Sequence, residues 1–131
     1  MRPYILLVDD DPDDLMLLTE AIIATSCNYE LKEAGDGRIA LNFLKSLNKK
    51  DDYPCLIVLD INMPVLDGRE LLAILKKDIL FKDVPVIFFT TSSNPADLKY
   101  ALQYEIELMT KPFNMKLLSL AAKKIISYCN V

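Results

Sequence analysis

The chain has 131 residues, 52% of them hydrophobic and 26% charged, with a formal net charge of −4 and no histidine. That is enough for one domain with a substantial core and too little for two. The acidic balance excludes nucleic-acid binding through a basic stripe, and no apolar run approaches membrane-spanning length. The missing histidine excludes Ser-His-Asp and Cys-His nucleophiles and a phosphohistidine on this chain. The N-terminus enters an apolar run with no n-region or cleavage site, so a cytoplasmic protein is expected. Cys27, Cys55 and Cys129 show no metal-type or redox-type spacing and an odd count, and are expected to be free thiols in a reducing compartment.

In chain order, the first predicted strand is Tyr4 to Val8, followed by a helix from Pro12 to Ala24 with Leu15, Leu18 and Ile22 on one face. A strand from Tyr29 to Ala34 leads through the turn residues Gly35, Asp36 and Gly37 into a helix from Arg38 to Leu47. After the polar segment Asn48 to Pro54 come a strand at Leu56 to Leu59, a loop marked by Asn62, Pro64, Asp67 and Gly68, and a helix from Arg69 to about Asp78. Then follow a strand from Val84 to Phe89, a helix opened by Asn94-Pro95 and ending near Tyr104, a strand from Ile106 to Met109, and a final helix from Phe113 to Cys129. Short, wholly apolar runs rich in branched residues read as strands buried on both faces. Five β-α units with short connections imply an α/β, doubly wound parallel sheet with helices on both faces. No repeat, linker or low-complexity segment interrupts residues 1–131, which read as a single domain.

In such a sheet the strand ends deliver their following residues to one edge, where ligands bind. Those residues here are Asp9 and Asp10, Asp60, Thr90 and Lys111. Two like charges about 4 Å apart cost roughly 1 kcal/mol in bulk water and roughly 4 at an intermediate dielectric. A cluster of Asp9, Asp10 and Asp60 therefore calls for a proton or a cation, and hard oxygen donors favour Mg²⁺ or Mn²⁺ over zinc. Asp11, Asp13 and Asp14 suit the first turn of a helix with Pro12 at its first position, and read as solvated capping acids. Carboxylates for a metal, a hydroxyl and an ammonium on one edge form a set suited to phosphoryl transfer, with an aspartate as nucleophile.

The stretches ILLVDDD (Ile5 to Asp11), LIVLDINMPVLDG (Leu56 to Gly68), PVIFFTTSS (Pro85 to Ser93) and MTKPF (Met109 to Phe113) occur in this order and spacing. The chain resembles the receiver domain of two-component response regulators along its whole length. It is similar to the bacterial chemotaxis regulator and, through Thr90-Thr91-Ser92, to stand-alone cyanobacterial phytochrome regulators. The resemblance implies a flavodoxin-like (βα)₅ fold with strand order 2-1-3-4-5. It implies phosphorylation of Asp60 by a histidine kinase or phosphotransfer protein. Asp10, Asp60 and the Asn62 backbone carbonyl would be Mg²⁺ ligands, with Asp9 acting through water. Thr90 would be the switch hydroxyl, Lys111 the phosphoryl contact, and Lys111-Pro112 a cis peptide. Asn62 and Ser92, small and polar, would admit water and give a phosphorylated lifetime of minutes.

Two departures stand out against that family. Leu108 occupies the usual aromatic position of the last strand, and Tyr104-Glu105-Ile106 replaces the usual Gly-Ala. On the last helix, Phe113, Leu118, Ala122, Ile125 and Ile126 form an inward face, while Leu117, Leu120, Ala121 and Tyr128 form a second apolar stripe. That stripe is expected to serve a homodimer or an output partner. A signalling module without an output domain is the favoured reading, not an enzyme with its own substrate; a phosphorelay intermediate or a pseudo-receiver is the alternative. An aspartyl-phosphate phosphatase would carry a second acid two residues after its nucleophile, where this chain has Asn62.

Overall fold

The computed structural model describes residues 3–26 and 28–129, so the expectation for Cys27 lies outside the described residues. The strands β1 (Tyr4–Val8), β2 (Glu30–Ala34), β3 (Leu56–Leu59), β4 (Val86–Thr90) and β5 (Leu108–Thr110) alternate with the helices α1 (Pro12–Thr25), α2 (Gly37–Lys45), α3 (Gly68–Lys77), α4 (Pro95–Gln103) and α5 (Met115–Ser127). A 3₁₀ turn, Lys50–Asp52, lies in the segment before β3. All strand pairings are parallel, in the order β2-β1-β3-β4-β5, as the resemblance implied.

The apolar runs split between two cores by the period of the strand. Leu6, Val8, Ile57, Leu59, Val86 and Phe88 face a core shared with Leu41, Leu44, Leu71, Leu72 and Leu75 of α2 and α3. Ile5, Leu7, Leu56, Val58, Ile87 and Phe89 face a core shared with Leu15, Leu18 and Ile22 of α1 and Leu118, Ala122 and Ile125 of α5. Burial on both faces is why these strands read as continuous hydrophobic runs. Side-chain caps fix where the helices begin. Asp11 accepts from the backbone N–H of Asp13 and Asp14, Asp67 and Glu70 form a capping box, and Asn114 accepts from Leu117.

Several expectations are corrected. The last strand is Leu108–Thr110, because Glu105 takes a positive φ of 56° and Ile106 N–H closes back onto the Ala101 carbonyl at 3.1 Å. Asn114 caps α5, so Phe113 precedes the helix and is 97% exposed instead of facing inward. Ala121 and Tyr128 are half-buried against the α1–α5 core, leaving Leu117 and Leu120 as the exposed members of the second stripe. The Tyr128 hydroxyl donates to Glu107. Among the described residues no peptide is cis, so Lys111-Pro112 is trans, the lower-energy isomer of an X-Pro bond by about 0.5–1 kcal/mol. Cys55 and Cys129 are not free thiols. The fold sets the start of β3 beside the end of α5, with Cα atoms 5.3 Å apart, and the sulfurs are bonded across a sequence separation of 74.

The β3–α3 loop turns within a few residues. Val65 has φ 68°, a conformation uncommon for a β-branched residue, and Leu66 N–H donates to the Pro64 carbonyl at 2.8 Å. Gly68 N–H then donates to the Ile61 carbonyl at 2.8 Å. A Cβ on Gly68 would lie 2.2 Å from the Asp60 carbonyl oxygen and 2.8 Å from Ile61 Cα. Backbone atoms have little room to yield, so Gly68→Ala is expected to cost about 3 kcal/mol in urea denaturation. A loss within about 0.5 kcal/mol, the ordinary range for a surface change, would show that the loop yields freely.

Candidate functional site

The parallel ladder continues one residue past several strands and then ends. Asp9 N–H donates to the Ala34 carbonyl at 3.1 Å, Asp60 N–H to Val8 at 2.9 Å and Lys111 N–H to Thr90 at 2.8 Å. These bonds fix the Cα positions of Asp9, Asp60 and Lys111 along the C-terminal edge of the sheet. Asp9, Asp60, Thr90 and Lys111 are buried there, while Asp10 and Asn62 are exposed.

Lys111 Nζ lies 2.5 Å from Asp9 Oδ2, 2.8 Å from Asp14 Oδ2 and 3.4 Å from Asp60 Oδ2. Asp9 Oδ1 also accepts from Asp11 N–H at 3.0 Å, and Asp60 Oδ1 from Ile61 N–H at 2.8 Å. Thr90 ends the neighbouring strand β4, and its Oγ1 accepts from Ser92 N–H at 3.2 Å. Burial pushes the Asp60 carboxyl above the usual carboxylate range; the Lys111 charge opposes this, the Asp9 charge adds to it, and the nearby Thr90 hydroxyl and the bond from Ile61 N–H oppose it. Burial alone would lower the Lys111 ammonium, but hydrogen bonds to Asp14 and Asp9 and the charges of Asp60 and Asp9 outweigh it and raise the pKa. Both directions describe one strongly acidic pocket with one cation in it.

Oxygens of Asp9, Asp10 and Asp60 lie within 4.8 Å of one another. Three hard carboxylate donors at that spacing, without sulfur or imidazole, fit Mg²⁺ or Mn²⁺. The structure thus brings together Asp9, Asp10, Asp60, Thr90 and Lys111, with Asn62 two residues after Asp60 in the adjoining loop. Asp14 is corrected from a solvated cap acid: Asp11 does the capping, and the Asp14 carboxylate reaches Lys111. The signal was its place on the first turn of α1, beside the strand edge. Ser92 is not simply open to water, since its hydroxyl donates to Asp97 Oδ2 at 2.5 Å. Asp97 is buried and lies 3.8 Å from Arg69. Leu108 is half-buried against the α2–α3 core.

Comparison with known proteins agrees with this geometry. Response regulator Rcp1 of Synechocystis sp. is 36% identical over 115 residues, covering 86% of this chain and 78% of that protein. The structure of the phosphorylated cyanobacterial phytochrome response regulator RcpA matches with a TM-score of 0.87 at 31% identity, over 99% of this chain and 95% of that one. The Mn²⁺-bound form of Rcp1 matches with a TM-score of 0.83 at 36% identity, over 95% and 92% of the two chains. The sequence profile of the response regulator receiver domain spans residues 5–123. A sheet of this order with its acids and lysine gathered on the C-terminal edge, matched over nearly its full length, makes this chain a member of the response regulator receiver family.

Proposed function

We propose that this receiver accepts a phosphoryl group on Asp60 from a histidine kinase or histidine phosphotransfer protein. It then acts as a stand-alone module by presenting the α4–β5–α5 face to a partner. The observation that carries the reading is Asp60 itself, a buried carboxylate with Lys111 Nζ at 3.4 Å, inside an acid cluster and beside the strand that ends in the buried Thr90. The Asp60 carboxylate oxygen attacks phosphorus; the O–P bond forms as the P–N bond to the donor imidazole breaks, its electron pair staying on nitrogen. The Lys111 ammonium and the Thr90 hydroxyl donate to the phosphoryl oxygens as negative charge builds there.

Mg²⁺, with Mn²⁺ as a substitute, would be held by the Asp10 and Asp60 carboxylates and the Asn62 backbone carbonyl, with Asp9 acting through water, and would supply neutralising charge for an anionic donor. Water attack on phosphorus breaks the same O–P bond and restores Asp60. With an exposed Asn62 and a small, half-buried Ser92 bonded to Asp97, that decay is expected on the scale of minutes. Intact mass after incubation with acetyl phosphate is expected to show one added phosphoryl group with Mg²⁺ and none with EDTA or in Asp60→Asn. No gain in the wild type would overturn the reading for small-molecule donors.

The repulsion within the cluster has its own consequence. Asp60→Asn removes a buried like charge and keeps the shape, so in EDTA the variant is expected to melt higher than wild type by roughly 3–5 °C, corresponding to about 1 kcal/mol. Mg²⁺ is expected to narrow the difference by stabilising wild type. A lower melting temperature in EDTA would mean that the ion pair with Lys111 outweighs the repulsion.

Exposed Leu98 and Leu102 of α4 and Leu117 and Leu120 of α5 support the output face. A homodimer through this face, reaching Ala121 and Tyr128 at its base, is expected in light scattering of wild type and lost in Leu120→Glu. Equal monomer mass for both, with and without phosphorylation, removes the dimer.

A further inference from the structure

We propose that Asp14 is a positioning residue of this site: it anchors the Lys111 ammonium on the α1 side and thereby limits the grip of Lys111 on a phosphoryl group at Asp60. This rests on the phosphoacceptor reading given above. An ammonium has three N–H donors, and the carboxylates around this one stand at unequal distances. Asp9 Oδ2 is at 2.5 Å and Asp14 Oδ2 at 2.8 Å, while Asp60 Oδ2 is the most distant at 3.4 Å.

Asp14 differs from its two companions. It lies outside the group formed by Asp9, Asp10 and Asp60 that could hold a metal ion. Once a cation engages those acids, Asp14 is the carboxylate of the trio still committed to Lys111. It is also a rigid anchor, because its backbone belongs to the first turn of α1 and its N–H is held by Asp11 Oδ1 at 3.3 Å. Capping is the task of Asp11, so the reach of the Asp14 side chain toward Lys111 is not needed to begin the helix.

The sign of the effect follows from charge. A phosphoryl group is an anion seeking the same N–H donors. A carboxylate that holds those donors from the other side competes with it, and the competition is lost when the carboxylate becomes an amide. A residue that only favoured the helix N-terminus would behave differently: Asn in its place would lower helix stability slightly and leave anion binding unchanged.

The test is calorimetric titration of beryllofluoride, a phosphoryl mimic for carboxylates, at saturating Mg²⁺. It is run on wild type, Asp14→Asn, Asp14→Glu, Lys111→Met and the Asp14→Asn/Lys111→Met double variant. Asp14→Asn is expected to bind about twofold to fivefold more tightly, the range for a partly exposed ion pair. Asp14→Glu keeps the charge and is expected to remain near wild type, and the gain is expected to vanish in the Lys111→Met background. Thermal unfolding checks that each variant is folded, and Asp14→Ser takes the place of Asp14→Asn if the latter is not. Unchanged or weaker binding in a folded neutral variant overturns the inference, and so does an equal gain without Lys111. Wild type that fails to bind beryllofluoride with Mg²⁺ overturns the phosphoacceptor reading itself, a result distinct from either.

Discussion

One ammonium stabilises the whole C-terminal edge of this sheet. Lys111 faces Asp9, Asp14 and Asp60, and the two buried acids have no comparable cation among the described residues. The pairing spans a sequence separation of 102, from the residue after β1 to the residue after β5. It forms only when β5 docks beside β4 and Lys111 N–H meets the Thr90 carbonyl. Completion of the sheet and neutralisation of the site are therefore the same event. A buried pair of this kind is strongly destabilising to break, because the surviving charge is left without its partner. The acids remain in excess even so, which is the physical reason the pocket suits a divalent cation.

The surroundings of Thr90 connect that pocket to the helices. Thr90 is fully buried at the end of β4, and its Oγ1 accepts from Ser92 N–H at 3.2 Å. Ser92 is bonded to Asp97 on α4, Asp97 faces Arg69 on α3, and Arg69 stacks over Tyr100 with its guanidinium 4.6 Å from the ring centroid. The Tyr100 hydroxyl returns a bond to the Arg69 carbonyl at 2.8 Å. Any displacement of Thr90 would work against this chain of polar contacts. Leu108, in place of an aromatic ring, contributes packing without a hydroxyl of its own. Tyr100 on α4 and Tyr104 at its C-terminal cap, with rings 5.1 Å apart, pack against the same core as Leu108.

The parts of the fold legible in the sequence were those where a single local rule operates. β1 and β3 are buried on both faces, so their apolar runs mark both ends, and the acids after them identify the edge. β5 was displaced because Ile106 is as apolar as Leu108, and only the turn at Glu105 decides where pairing begins. Phe113 was drawn into the last helix by hydrophobicity, although the cap at Asn114 excludes it. Asp14 was hidden for the opposite reason: the helix start fully accounts for an acid there, and its partner lies 97 residues away. The bridge between Cys55 and Cys129 depends on how α5 returns beneath β3, which no spacing along the chain reveals.

The two edges of the sheet differ from its centre in a way that bears on recognition. β2 carries Glu30, Lys32 and Glu33 among its five residues, and the Lys32 ammonium is drawn over the rings of Tyr4 and Phe43. β5 has only three residues, with Glu107 just before it tied to Lys124 and Tyr128 of the last helical segment. Short or charged edges are poor templates for an added strand. Edges of this kind disfavour backbone pairing, which is tenacious and indifferent to side-chain identity. Contacts made by a helix face depend on side chains instead, so a change of one residue there alters them.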